Sequence, residues 1–465
     1  MTQTDPVDPL FSTSLSLQIV ACRLGHNLNL SRSVQITSFC IDSRLAAEGS
    51  LFFALPGKRQ DGHDFLEEVA QKGARAAVVR ADYEGPSYGL VLLRTDSPLL
   101  ALQHLAQEKI LEKAPKIIAI TGSVGKTTTK EFLATLLACR YRVGKTPGNA
   151  NSQAGLPLAI LNWNEEVDLL ILEMGMSKPG EIARLIEIAP PDIALITKIG
   201  TAHVSNFSDG IEGVRREKGS ILSHPKTALG LIPDGEFFPD FSCPQVSVGR
   251  EASSFYWYEA TPFGLRIWEK GVYPNDSMMP TTNFSSHLGI ASPHLQLSLQ
   301  AHHLQENFVM AASCARILGL TWEEIQEGAK LLIPFRNRFE RVEKEGVIWI
   351  NDAYNANPES MKAALLNLPA ASRKIAVLGG MVDLGELSCS AHRAIGEYAL
   401  LAVDQVLCIG EGAQWIVERF LEVGREARFF TSFSDLKAAC QALVEPGDLV
   451  LIKGSNFNSL WKLLE

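Results

Sequence analysis

Thr121-Gly122-Ser123-Val124-Gly125-Lys126-Thr127-Thr128-Thr129-Lys130 follows the apolar run Ile117-Ile118-Ala119-Ile120 and precedes Phe132, Leu133, Leu136 and Leu137 at helical spacing. Strand, glycine loop and helix in that order make a phosphate cradle. Glycines let a tight turn aim backbone N–H groups inward, Lys126 supplies a point charge for terminal phosphates, and the Thr127 hydroxyl can ligate Mg²⁺. The helix N-terminus adds partial positive charge on the same side. Ile120 stands where the longer Gly-x-x-x-x-Gly-Lys-Ser/Thr pattern has its first glycine, so the loop has the shorter Gly-x-x-Gly-Lys-Thr form. A Gly/Ser-rich turn with an incidental lysine is the bland alternative, and the strand before and helix after weigh against it.

Around this loop lie 465 residues, a length that predicts roughly three domains. The composition, 46% hydrophobic and 20% charged, is that of a globular chain, and no apolar run is long enough to predict a membrane span. The opening residues 1–14 have neither a basic segment nor an apolar one, so no secretory or transit signal is expected. A net charge of −9 argues against nucleic-acid binding but allows an anionic small ligand in a local positive pocket. Eight cysteines without a Cys-x-x-Cys pair, several inside apolar segments, fit reduced, buried thiols in a cytoplasmic protein.

Residues 1–113 carry short apolar runs broken by turns and read as a small mixed α/β domain. Asp42-Ser43-Arg44 and Asp61-Gly62-His63-Asp64 sit where loops should leave strands. They are either donors for a nucleotide-sugar pyrophosphate or ordinary Asp/Ser turns. Residues 114–332 repeat a strand followed by polar residues, the signature of a parallel sheet with its site at the strands' carboxyl ends. One such strand delivers Glu173, the oxygen ligand that a nucleotide-bound Mg²⁺ needs. Another leads to His203, which is a ligand or a hydrogen-bonded structural histidine. Asn149 lies in a turn-rich loop whose amides could meet phosphate, and Lys218 reads as a solvated helix-surface lysine. Residues 225–300 suggest strands and loops but no chemistry, and His302-His303 point too far apart on a helix to share a metal ion.

Past a boundary near Ile333-Pro334 the strand–helix alternation resumes, predicting a second doubly wound sheet over 333–465. At its strand ends stand Asp352-Ala353-Tyr354-Asn355-Ala356-Asn357-Pro358, Gly379-Gly380-Met381-Val382-Asp383 and Lys453-Gly454-Ser455.

Taken in order and spacing, these motifs resemble the Mur ligase family over almost the whole chain. The resemblance implies an α/β protein of three domains: a mixed N-terminal domain, a central phosphate-loop domain and a Rossmann-like C-terminal domain. It implies an ATP- and Mg²⁺-dependent amide ligase. The Asp-x-Tyr-Asn-Ala-Asn-Pro motif points to a member that joins D-alanyl-D-alanine to a UDP-N-acetylmuramoyl tripeptide, while the Asp-Asn-Pro-Arg motif of the diaminopimelate-adding member is absent. By the same resemblance Gly122, Ser123, Val124, Gly125, Lys126, Thr127, Thr128, Asn149, Asn307, Arg338 and Asp352 surround ATP. Thr127, Glu173, His203 and a carbamylated Lys218 would hold two Mg²⁺, with Lys126, His203 and Lys218 as the catalytic set. Ser43, Arg44, Asp61, His63, Tyr354, Asn355 and Asn357 would face substrate, and the enzyme is expected to be a monomer.

Two positions depart from the family pattern: Leu304 replaces the first Asn of a His-Asn-x-x-Asn helix start, and Gly380 replaces the Asp of Gly-Asp-Met. The alternatives are a folylpolyglutamate-type ligase of related build and, in a different class, a phosphate-loop ATPase acting as a switch.

Overall fold

The structure, a computed structural model, describes residues 15–28, 33–57, 60–261, 264–270, 290–297, 299, 301–333 and 335–465. The opening stretch 1–14, Pro334 of the second boundary and part of the 225–300 region lie outside the described residues. The chain forms two compact units, Met1–Ala119 with Tyr141–Gly175 and Ala183–Asp192, and Ile120–Arg140 with Met176–Ile182 and Ile193–Glu465.

In the first unit, four parallel strands follow in the order Ser38–Cys40, Ser50–Phe53, Ala76–Arg80 and Val91–Thr95. The middle two are buried almost throughout, as expected of apolar runs covered on both faces. Phe52, Ala77 and Val79 pack against Leu66 and Val69 of the helix Leu66–Gln71. Phe52, Val79, Leu66 and Val69 each contribute about 1.5–3 kcal/mol when removed from water, Ala77 less. The helix Pro98–Lys113 starts on a Ser97 cap, whose hydroxyl accepts from the Leu100 N–H at 3.3 Å, with Pro98 in the first turn. Val143–Lys145 and Leu169–Glu173 pair in parallel, and the second of these ends on Glu173.

In the second unit, the strands Ile193–Ile196, Leu229–Pro233, Gln245–Gly249, Tyr256–Thr261, Gly264–Glu269 and Ile290–Ala291 are successive neighbours. The first four run parallel, Gly264–Glu269 pairs antiparallel with Tyr256–Thr261, and Ile290–Ala291 pairs antiparallel with Gly264–Glu269. The helix Lys126–Leu137 packs beside His302–Ile317.

The unit's other sheet has the order Glu340–Lys344, Val347–Asn351, Leu449–Lys453, Lys374–Gly379, Gln405–Ile409 and Ala427–Phe430, parallel except at the first pair. Its last strand in sequence, Leu449–Lys453, returns between Val347–Asn351 and Lys374–Gly379. The connections therefore diverge there, and the carboxyl ends at Asn351, Lys453 and Gly379 frame the crevice where doubly wound sheets bind ligands. Both predicted sheets and the α/β class are observed.

Two expectations change. Lys218 is 2% exposed, not solvated: the helix Ile211–Gly219 turns Val214, Glu217 and Lys218 inward. Cys40, Cys243, Cys314, Cys408 and Cys440 are buried, but Cys22, Cys139 and Cys389 are exposed; all are free thiols.

Candidate active site

The glycine loop has backbone angles and close approaches that require its glycines. Gly122 has φ +151° and a Cβ there would meet the Thr197 hydroxyl at 2.0 Å; Gly125 has φ +86° and its Cβ would meet the Asn307 side chain at 2.2 Å. Neither position accepts a side chain. The loop is tied to the turn after strand Ile193–Ile196. The Ser123 N–H donates to the Lys198 carbonyl (2.7 Å), the Ser123 hydroxyl donates to the Gly200 carbonyl and accepts from its N–H (3.0 and 2.9 Å), and Thr197 Oγ1 donates to the Val124 carbonyl (2.6 Å). Lys126 starts the helix and its ammonium donates to the Gly122 carbonyl at 2.8 Å, curled over the loop. Thr127 and Thr128 are buried in the first turn.

Strand ends of the second sheet reach the same loop. Arg338 donates to Thr127 Oγ1 at 3.2 Å while its guanidinium lies 3.7 Å from the centre of the Tyr354 ring, a cation–π contact that fixes its direction. The Asn357 side chain caps the helix Pro358–Leu366 and donates to the Ser123 carbonyl at 3.4 Å. Asp352 accepts from the Phe339 N–H (3.1 Å) and from the Lys453 ammonium (2.6 Å), which also donates to the Asn355 carbonyl (3.1 Å). Burial lowers the Lys453 pKa and the Asp352 carboxylate opposes that shift. The structure thus brings Gly122–Thr128, Asn307, Arg338, Asp352, Tyr354 and Asn357 into one connected set. Asn355 joins it through its carbonyl, its residue being exposed.

His203 stands in the left-handed region at φ +63°, and its Nδ1 lies 3.0 Å from Asp383 Oδ2. Burial holds its pKa below the usual imidazole range, with Asp383 opposing. Lys218 has no hydrogen bond or ion pair to its ammonium among the described residues. Burial, with the charge of Lys126 adding to it, pushes the amine well below its ordinary pKa. Its neighbour Glu217 is engaged elsewhere, accepting from the N–H groups of Gly180 and Ile182 at 2.8 Å each. Glu173 and Asn149 belong to the first unit. There Glu173 is 1% exposed and accepts from Asn151 Nδ2 at 2.7 Å, whereas Asn149 is exposed. No three His, Cys, Asp or Glu side chains converge into a metal cluster among the described residues. A carbamate on Lys218 would change that donor set, since it adds a carboxylate where there is now an amine.

The first-unit motifs are internally satisfied. Asp42 caps the short 3-10 helix Ser43–Leu45 and pairs with Arg44, and the Ser43 hydroxyl donates to Glu68 at 3.0 Å. Arg44 is largely exposed. Asp61 accepts from His63 Nδ1 (2.6 Å) and Arg80 (3.0 Å), and His63 Nε2 accepts from the Arg80 N–H (3.0 Å). These contacts fix the loop to strand Ala76–Arg80. Sequence reasoning gave no role to Thr197, Asp383, Glu359 or Lys453. Lys453 carried the clearest signal, a lysine directly after the apolar run Leu449–Ile452.

A phosphate loop tied to one parallel sheet and met by arginine and capping asparagine from the crevice of another gives this chain the build of an α/β enzyme acting on a phosphorylated ligand. Three family models match it in succession: the Mur ligase family catalytic domain at 35–109, the Mur ligase middle domain at 120–315 and the Mur ligase glutamate ligase domain at 337–456. It is 31% identical over 437 residues to the UDP-N-acetylmuramoyl-tripeptide--D-alanyl-D-alanine ligase of Synechocystis sp., covering 92% of this chain and 91% of the relative. The Bacillus subtilis enzyme of the same name is 32% identical over 436 residues, 91% of each chain. Among solved structures, MurF ligase from Thermotoga maritima in complex with ADP superposes with a TM-score of 0.72 at 29% identity, covering 92% of this chain and 96% of that one. The chain belongs to the Mur ligase family, and it is a ligase.

Proposed function

We propose that this enzyme uses ATP and Mg²⁺ to join D-alanyl-D-alanine to a UDP-N-acetylmuramoyl tripeptide, making the pentapeptide precursor of peptidoglycan. The tripeptide carboxylate attacks the γ-phosphorus of ATP, giving an acyl phosphate and ADP. The neutral dipeptide amine then attacks the acyl carbon, the C–O bond to phosphate breaks, and the surplus N–H proton leaves with the phosphate. Three anionic groups must be gathered in one place, so the protein's task is positioning and charge neutralisation more than covalent chemistry. The observation that carries the reading is the pair Lys126 and Lys218: one ammonium on the phosphate loop and, close enough to feel its charge, a buried amine with no hydrogen bond or ion pair among the described residues.

Lys126 exchanges its bond to the Gly122 carbonyl for the terminal phosphates, within a cradle formed by Gly122, Ser123, Val124, Gly125, Thr127 and Thr128; the Ser123 N–H is held by the Lys198 carbonyl, so Ser123 shapes the loop rather than donating that N–H. Arg338, steadied on Tyr354, extends the cradle, and Asn149, Asn307 and Asp352 complete the nucleotide contacts. Lys218, its amine pushed well below its ordinary pKa by burial, attacks CO₂ in its neutral form and releases one N–H proton to water, leaving a carbamate. Thr127, Glu173, His203 and that carbamate are the residues that would hold Mg²⁺. When bound, Mg²⁺ screens the negative charge of the phosphates and of the reacting carboxylate. Ser43, Arg44, Asp61 and His63 are assigned to the UDP-sugar end, Tyr354, Asn355 and Asn357 to the acceptor end. Residues 1–113, 114–332 and 333–465 are proposed as the corresponding domains, a division supported by the three family-model spans, one in each.

The test is incubation with ATP, Mg²⁺, D-alanyl-D-alanine and each UDP-muramoyl tripeptide, lysine- or diaminopimelate-terminated, followed by mass spectrometry. A pentapeptide product formed with stoichiometric ADP is expected. ATP hydrolysis indifferent to both substrates would favour a switch ATPase and refute the proposal.

A further inference from the structure

Asp383 and His203 are both non-glycine residues in the left-handed region, at φ +59° and +63°, and their side chains meet at 3.0 Å. Such conformations cost of order 1–3 kcal/mol each and persist only where the surroundings over-determine them. Both loops are indeed held from behind. The Gly380 N–H donates to the Ile409 carbonyl at 2.9 Å. The Met381 N–H donates to His392 Nε2 at 3.0 Å, and His392 Nδ1 donates in turn to the Ser388 carbonyl at 2.7 Å. On the other side, Thr201 donates its N–H and hydroxyl to Glu359 Oε1 at 2.7 and 2.9 Å, and the Ser205 hydroxyl donates to the Asp383 carbonyl at 3.0 Å.

We propose that Asp383 is a positioning residue that accepts the His203 Nδ1 proton and so presents His203 Nε2, with its lone pair, to the metal bound at the phosphate site. Free neutral imidazole favours the opposite tautomer, with the proton on Nε2. Carboxylates opposite the remote nitrogen of a metal-binding histidine fix both its tautomer and its ring direction. The pair is half exposed, so it adds little to stability; its effect is orientation. The inference rests on the reading of His203 as a metal ligand. It has a further consequence: Thr201, His203 and Ser205 lie within the middle-domain match and Glu359 and Asp383 within the glutamate-ligase match, so His203 is set for metal only while residues of both segments are engaged.

The experiment uses the full-length enzyme with ¹⁵N-labelled histidine and, separately, Mn²⁺ titration in the presence of ADP. In metal-free wild type, His203 should carry its proton on Nδ1. Asp383→Gly removes the carboxylate at a backbone angle glycine adopts freely. It should move the proton to Nε2 and weaken Mn²⁺ binding about 10- to 100-fold. Asp383→Asn keeps an acceptor and should restore the tautomer. Should D383G fail to fold, Asp383→Ala removes the same acceptor and carries the same expectation. An Nδ1-protonated His203 in D383G or D383A, or Mn²⁺ affinity within twofold of wild type, overturns the proposal. His203→Ala separates the two claims: unchanged Mn²⁺ binding in H203A would overturn the reading of His203 as a ligand, whatever its tautomer.

Discussion

Restoring the family's aspartate at Gly380 should harm this enzyme. A Cβ at position 380 would lie 2.1 Å from the Glu411 carbonyl oxygen and 3.1 Å from its carbon, both backbone atoms that cannot rotate away. Reaching an ordinary contact requires the 379–383 loop to move by about 1 Å, and overpacking of this kind typically costs about 1–3 kcal/mol. The loop is pinned at the Gly380 and Met381 N–H groups, so the movement has to be absorbed there or passed on to Asp383. A shift of about 1 Å would stretch the 3.0 Å contact to His203 beyond hydrogen-bond range. Gly380→Ala carries the same Cβ without the carboxylate. G380A and G380D should therefore lose similar stability in urea denaturation, and both should lose turnover in the coupled ADP assay. If G380D matches wild type in midpoint and rate, or if only G380D and not G380A is affected, the steric account of this departure is wrong.

Lys126→Ala should lower turnover by at least about 10²–10³-fold, the scale of a lost preorganised charge, with an unchanged circular dichroism spectrum; full ATP-dependent ligation by K126A would remove the loop from the site. His392 accepts the Met381 N–H with a nitrogen it must keep unprotonated, and burial lowers its pKa. Because the folded-state pKa is the lower one, its stabilising effect is complete above the unfolded value of about 6.5 and is lost as pH falls from there through the folded value. Urea midpoints at pH 7.5 and 5.5 should consequently converge or cross between wild type and His392→Gln as the pH drops, and parallel midpoints would argue against it. His63→Ala, which takes one of its partners from Asp61 and leaves the Arg80 N–H without the imidazole acceptor, should cost about 1–3 kcal/mol in chemical denaturation; an H63A that weakens only UDP-sugar binding would return His63 to a purely ligand-facing role.

The fold was readable where local chemistry dictates it. The strand Lys116–Thr121 ends within a residue, on either side, of the apolar run Ile117–Ile120. The glycine loop announced itself because its backbone angles exclude other residues. Lys218 was misjudged for the opposite reason: a lysine in Arg-Arg-Glu-Lys-Gly has the local pattern of a solvated helix face, and only tertiary packing turns it inward. Asp61 and His63 read equally as ligand donors or as an ordinary turn, and their bonds to each other and to Arg80 were not legible because they depend on a strand 17 residues further along. Asp383 stood in a strand-end motif but its role could not be read, since its partner is 180 residues away in sequence and its left-handed backbone has no signature in a non-glycine residue.

What separates the legible residues from the hidden ones is how far away their partner lies. Lys126 and Thr127 act through a helix end that the same ten residues build, so sequence alone gave them a role. Arg338, Asp383 and Glu359 act only because the return of strand Leu449–Lys453 opens a crevice whose rim meets the 121–127 loop and the 200–205 turn. Each of these contacts pairs a side chain from one of the second unit's two sheets with a turn from the other. Had Lys126 been sufficient for function, Arg338 would have no need of Tyr354 beneath it, nor His203 of a carboxylate behind it. The phosphate loop supplies the charge, and the contacts that cross from the second sheet determine where that charge and the proposed metal ligands point.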